Sequence, residues 1–234
     1  LVPDLNAKNA TQIERFRRSL TNNHAFLYHL SEGTNSAARQ RFLDLKENGL
    51  VGSNLVGIHS LGLQPHDLTF LASKGGKAVW SPFSNLLLYG KTLDLDQVDA
   101  AGMKMSLGSD WSPTGGKNLL EELKVARWVS KSQRSILSDE RLVRMVTNIP
   151  AEILGWDSAL GSLRDGTLAD VLVIRGTSSD PYTQLINALE RDIALVVIHG
   201  VPRYGDTALM NKLTAPASLE KATIDGKSKR LFLD

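Results

Sequence analysis

The sequence predicts an α/β fold in which strand and helix alternate four times before a smaller β-rich region takes over. Three observations predict it. Apolar runs and amphipathic segments alternate from about residue 25 to residue 135. Each strand-like run is continuously apolar, as expected of parallel strands buried on both faces. Short β signals and turn dipeptides replace this pattern late in the chain. The expected division is residues 1–156 for the βα region and 157–234 for the β-rich region and tail.

TQIERFRRSL, residues 11–20, sets Ile13, Phe16 and Leu20 among charged residues and reads as an amphipathic helix. AFLYHL (25–30) is the first strand, and ARQRFLDLKENG (38–49) a helix ending at Gly49. LVGIHSL (55–61) is the second strand. PHDLTFLASKGG (65–76) is a helix with Pro65 at its start and a closing glycine pair. KAVWSPFSN (77–85) reads as the third strand, closed by Ser84 and Asn85, which are assigned to backbone-fixing hydrogen bonds in preference to substrate contact. DLDQVDAAG (94–102) is a short helix. MKMSLGSD (103–110) is the fourth strand, ending in Asp110, and NLLEELKVARWV (118–129) is an amphipathic helix.

SDERLVRMVTNIPAEILGW (138–156) reads as one helix, capped by Ser138 or Asp139 and broken or restarted at Pro150. ALGSLRDGTLADVLVIRG (159–176) and DIALVVIHGVPRYGD (192–206) carry β signals, with Asp165-Gly166 and His199-Gly200 as hairpin turns. The tail from residue 206 is polar and aperiodic and reads as an extended arm.

Composition narrows the function. A net charge of +2 offers no electrostatic case for nucleic acid or an anionic membrane, and 6% aromatic residues build no stacking platform. The absence of cysteine excludes disulfides, thiolate metal sites and a cysteine nucleophile. No run approaches the roughly 20 apolar residues of a membrane span, and no signal-peptide pattern is visible. A cytoplasmic protein acting on a small molecule is the expectation. No G-x-S-x-G, P-loop or G-x-G-x-x-G motif occurs.

The titratable residues recur at strand ends, the face that carries catalysis in βα barrels. His29 and His59 end the first two strands, and neighbouring parallel strands lie about 5 Å apart, so both imidazoles can reach one ion. Asp110 ends the fourth run on the same rim. The bland alternatives are packed histidines in an unrelated open sheet and a loop-capping aspartate. Two imidazoles and a carboxylate suit zinc, iron or manganese. Glu32, three residues past His29, must lie on the following turn, where Gly33 permits sharp geometry and the carboxylate could move protons beside a metal-bound water. Trp111 and Tyr89 line a pocket or simply pack. A closed barrel needs eight βα units and about 250 residues. Four units therefore make either an open sheet or part of a barrel completed by another segment.

The motifs resemble the amidohydrolase superfamily, in its branch of aromatic deaminases and triazine chlorohydrolases. HLSEG resembles that branch's fifth-strand "His-x-x-Glu", GIHS its sixth-strand histidine, and SLGSD its eighth-strand "G-[ST]-D". SPFSN followed by LLLYG resembles its "P-x-S-N … G" segment, and NIPAEILGWDSALGSLRDGTLADVLVI its C-terminal signature. The match covers most of residues 25–205, in the same order.

The resemblance implies the C-terminal half of a (β/α)8 barrel with part of a small β-sandwich. It implies a hydrolase that cleaves C–N bonds, by deamination or a related reaction on a heterocycle or amide, with a metal-activated hydroxide. His29 would be a metal ligand and Glu32 the proton shuttle. His59 would orient the attacking water or the substrate, and Asp110 would be both metal ligand and general base. The metal would be zinc, with iron as the alternative.

The family's H-x-H ligand pair is absent from the sequence. Metal binding is therefore expected to be incomplete and the isolated chain inactive, its partner being the N-terminal half of the barrel. An upstream segment is expected before Leu1, and the exposed apolar surface of an incomplete barrel predicts self-association. The competing reading is a non-catalytic homologue acting in binding or assembly.

Overall fold

The computed structural model describes residues 5, 7, 9–134 and 136–233. The chain divides into two compact units, Leu1–Gly155 and Trp156–Asp234.

The first unit opens with α1 (Ala10–Asn22), started by the Asn9 side chain, which accepts from Gln12 N–H at 3.1 Å. Its buried Phe16 meets Phe26 and Tyr28 edge-on, at centroid distances of 5.0 and 5.1 Å. Then follow β1 (Phe26–Leu30), α2 (Ser36–Glu47), β2 (Leu55–His59), α3 (Pro65–Ser73), β3 (Lys77–Trp80), α4 (Pro82–Tyr89), α5 (Leu95–Ala100), β4 (Met105–Leu107), α6 (Leu119–Ser132), α7 (Asp139–Arg144) and α8 (Asn148–Leu154). The strands form one parallel sheet in the order β1-β2-β3-β4. Tyr28, Leu30, Leu55, Ala78 and Trp80 are buried, whereas Leu27 on the other face of β1 is 46% exposed.

Three elements differ from expectation. The third strand stops at Trp80, because Pro82 starts α4 at its first position. Ser84 and Asn85 are thus helical residues, not a strand end. The fourth strand stops at Leu107, so Asp110 lies three residues beyond it. The segment 138–156 is two helices. Ser138 caps α7 by accepting from Arg141 N–H, and the chain turns at residues 145–147 before Pro150 enters the first turn of α8.

The second unit contains β5 (Val171–Ile174), α9 (Pro181–Asn187), β6 (Ile193–Ile198), β7 (Val201–Asp206), α10 (Thr207–Leu213), β8 (Glu220–Ile224) and β9 (Lys227–Leu231). Its five strands form one antiparallel sheet, ordered β5-β6-β7-β9-β8. His199-Gly200 joins β6 to β7 with both residues at positive φ. Asp165-Gly166 is a turn that joins no strands. The tail is not an extended arm. It folds as α10 and the β8–β9 hairpin, which turns at Asp225-Gly226 and inserts β9 beside β7. Buried Lys229 anchors it there, donating to Asp206 Oδ1 at 2.9 Å and to the carbonyls of Ile193 and Arg191. An anchor made of one buried cation is invisible to a reading based on hydrophobic period.

Candidate active site

His29 lies in β1 and pairs in register with Ile58, while Leu30 pairs with His59. On unbroken strands the two histidines would therefore point to opposite faces, because side chains alternate. Left-handed backbone resolves this. His59 has φ 66° and Ser60 φ 55°, and the His59 ring comes beside that of His29 with centroids 5.5 Å apart. Ser31, just past β1, and Asp110, past β4, are also at positive φ, 49° and 57°. Non-glycine residues seldom adopt this conformation. Four of them at the ends of three strands concentrate strain on one rim, as functional sites do.

Glu32 follows Ser31 on the turn, and Gly33 at φ 125° supplies the geometry that L-residues avoid. Ligand atoms of His29, Glu32 and His59 all lie within 4.8 Å of one another. His59 Nε2 is 3.8 Å from Glu32 Oε2 and 3.9 Å from Asp110 Oδ2. Both separations are too long for hydrogen bonds. His59 is 1% exposed, and its Nε2 has no hydrogen-bond partner. A buried ring nitrogen left without a partner and faced by two carboxylates is a cation's environment, and two imidazoles with two carboxylates suit zinc or iron. The donor set present therefore fits a divalent metal.

Helix α4 holds this constellation from one side. Ser84 donates to Asp110 Oδ2 at 2.5 Å, and Trp111 N–H donates to Asp110 Oδ1 at 2.9 Å. Asn85 Oδ1 lies 3.0 Å from His59 Nδ1. In that pairing Nδ1 carries the proton and Nε2 offers its lone pair, so the contact fixes both the tautomer and the orientation of the ring. Tyr89 donates to Glu32 Oε1 at 2.9 Å. Burial, the hydrogen bond to Glu32 and the charges of Glu32 and Asp110 push the Tyr89 phenol up to about 12. Behind α4, the fully buried Glu122 of α6 accepts from Phe83 N–H at 3.3 Å and Gly116 N–H at 2.9 Å. It ties the start of α4 to the loop after β4.

The sequence marked Ser84 and Asn85 as polar but assigned them to the backbone. Both instead bond side chains on the rim. Tyr89 stood between pocket and core, and it bonds Glu32. Glu122 went unnoticed, because a carboxylate in an amphipathic helix normally marks its wet face. Trp111 is 66% exposed. His66 lies apart from the rim cluster, beside Arg39 and Asp67, and His199 is a turn residue.

A model of the amidohydrolase family matches residues 8–203. The chain belongs to the amidohydrolase family. Among curated amidohydrolase relatives, the 5-methylthioadenosine/S-adenosylhomocysteine deaminase 1 of Syntrophus aciditrophicus is 28% identical over 167 residues, covering 67% of this chain and 38% of the relative. The 5-methylthioadenosine/S-adenosylhomocysteine deaminase of Thermococcus kodakarensis is 30% identical over 147 residues, covering 61% and 34%. This amidohydrolase chain thus spans well under half the length of those relatives. An adenosine deaminase from Xanthomonas campestris, solved with bound zinc, superposes with a TM-score of 0.75 at 22% identity, over 83% of this chain and 49% of that one. The guanine deaminase of E. coli superposes at 0.72 and 22% identity, over 84% and 52%. Both share the fold of the amidohydrolase chain.

Proposed function

We propose that the four βα units form the C-terminal half of an eight-unit barrel, and that the rim of β1, β2 and β4 is part of the active centre of a metal-dependent hydrolase of C–N bonds. The deamination of a heterocycle is the preferred reaction. One observation carries this reading. The buried, unpartnered Nε2 of His59 faces Glu32 and Asp110 with His29 alongside. His29 and Asp110 would hold the metal, zinc in preference to iron, within reach of His59. A divalent cation bound there supplies Lewis-acid activation of water at neutral pH.

The residues of this chain supply the rest. Asp110, held through both carboxylate oxygens by Ser84 and Trp111 N–H, takes the proton of the attacking water. Glu32, with Oε1 occupied by Tyr89, has Oε2 free to shuttle a proton given up by the water to the leaving nitrogen, which departs as ammonia or an amine. His59, fixed through Nδ1 by Asn85, directs Nε2 at the water or the substrate. Deaminase activity in relatives and zinc in a structural neighbour support this assignment. Two protein ligands fall short of the three that a catalytic zinc uses. The remainder is expected from the other barrel half.

Metal analysis and a purine and nucleoside deamination screen of the full parent protein test this reading. We expect about one tightly bound zinc and loss of turnover in Asp110→Asn. A parent protein without bound metal, or an Asp110→Asn variant with undiminished turnover, would overturn it.

A further inference from the structure

The Tyr89–Glu32 contact does more than fill space. Glu32 sits on a turn rather than in a strand, and its side chain remains 29% exposed. A glutamate so placed has three side-chain torsions and free access to several rotamers. Among the described residues, Tyr89 supplies its hydrogen bond, at 2.9 Å to Oε1. That leaves Oε2 on the side of His59 Nε2, 3.8 Å away.

The donor's location is equally informative. Tyr89 is the last residue of α4, before the left-handed cap Gly90 at φ 62°. It lies four residues after Asn85, which holds His59. Positions i and i+4 share one helix face about 6 Å apart. One rigid helix therefore fixes both the imidazole and the carboxylate, and their spacing is set by its pitch. The phenol keeps its proton far above neutral pH, so it remains a donor under all working conditions.

We infer that Tyr89 is a positioning residue for Glu32. Its hydroxyl locks Oε1, aims Oε2 at His59, and with Asn85 indexes the proton-carrying acid against the histidine across the β1–β2 rim. This rests on the proposed function for what the acid does, but the locking itself is a property of this chain alone. The other contacts that α4 makes to the rim come from the short polar side chains of Ser84 and Asn85, whereas here a long aromatic lever reaches from the far end of α4 to a turn residue.

The test uses the 234-residue chain with Tyr89→Phe, which keeps the ring and removes only the hydroxyl. NMR scalar couplings report the Glu32 rotamer. Zinc affinity is measured separately, by competition with a chromophoric chelator. In the unaltered chain Glu32 is expected in one rotamer and the Tyr89 hydroxyl proton is slow enough to observe. In Tyr89→Phe the couplings average over several rotamers while the fold and unfolding midpoint stay near those of the parent. Glu32→Ala should abolish the slow hydroxyl proton, and this arm holds even where Tyr89→Phe fails to fold. A single Glu32 rotamer that persists in Tyr89→Phe, or a Tyr89 hydroxyl indifferent to Glu32→Ala, overturns the inference. The zinc affinity of this chain, which carries two of the ligands, bears on the proposed function alone, and the rotamer result decides the role of Tyr89.

Discussion

Glu122→Gln isolates what a buried carboxylate contributes to this scaffold. Glu122 is fully buried and accepts one backbone N–H on each oxygen, from Gly116 at 2.9 Å and Phe83 at 3.3 Å. Glutamine keeps the shape but can accept through one oxygen only. Its amide group must then face the other N–H, so a charge-assisted bond of about 1.5–3 kcal/mol is lost and a buried donor is stranded. Against this, the variant no longer buries a charge. Burial raises the Glu122 pKa above its usual value despite the two N–H donors, with Glu121 and Asp110 adding to the rise. An acid whose folded pKa is raised contributes stability fully present below its unfolded pKa, about 4.3. That contribution is lost as pH rises through the folded pKa.

The destabilisation of Glu122→Gln should therefore be about 2 kcal/mol from hydrogen bonding near neutral pH. It should grow as pH falls toward the unfolded pKa. Urea unfolding of both proteins between pH 4.5 and 8 measures it. A loss under about 0.5 kcal/mol, the noise of an ordinary surface change, or a difference that does not vary with pH, would refute the reasoning. Because Phe83 lies in the first turn of α4, the same variant should also loosen Ser84 and Asn85 against Asp110 and His59.

Three further outcomes are expected. Lys229→Met leaves Asp206 with Arg175 alone and strands two carbonyls, so it should cost about 3 kcal/mol; calorimetry would show a lowered transition for the second unit, and an unchanged one would refute the anchor. At Asp67, burial pushes the pKa up, but the Arg39 guanidinium and Gln64 N–H pull it below its usual value. Its stabilisation is thus present above about pH 4 and lost as pH falls through the folded pKa, and Asp67→Asn should flatten that acid limb in unfolding curves. Asn85→Leu in the full parent protein frees the His59 ring and should lower turnover by about 10–100-fold, read by steady-state rates, and an unchanged rate would refute the role given to Asn85.

The parallel sheet was legible because its evidence is local and repeated. Continuous apolar runs, glycine-closed helices and Pro65 each identify an element without reference to the rest. The rim residues were legible for a related reason, since His29, His59 and Asp110 recur near equivalent strand ends. The errors share a different cause. KAVWSPFSN reads as one apolar run because period alone cannot separate a short buried strand from the helix that follows it. Pro82 was the available sign, being favoured at a helix start. The tail looked aperiodic because β8 and β9 are solvated on one face and held by Lys229, a residue whose charge argues for exposure.

The misplaced boundary at Trp80 matters most for chemistry. With Ser84 and Asn85 on a strand end, they could only line the rim beside the other residues. On α4 they stand behind it, and Tyr89 joins them one turn later. The helix thereby contacts groups from three separate strand ends: Glu32 after β1, His59 of β2 and Asp110 after β4. Each of these lies at or next to a strained residue, Ser31, His59 with Ser60, and Asp110 itself. Positive φ at such positions costs of order 1–3 kcal/mol each and persists only where surrounding contacts over-determine it. Helix α4 supplies those contacts, so the strain on the rim and the hydrogen bonds from the helix are two sides of one arrangement. Strand ends alone would place Glu32, Asp110 and His59 near one another; the helix behind them fixes which of their atoms face one another.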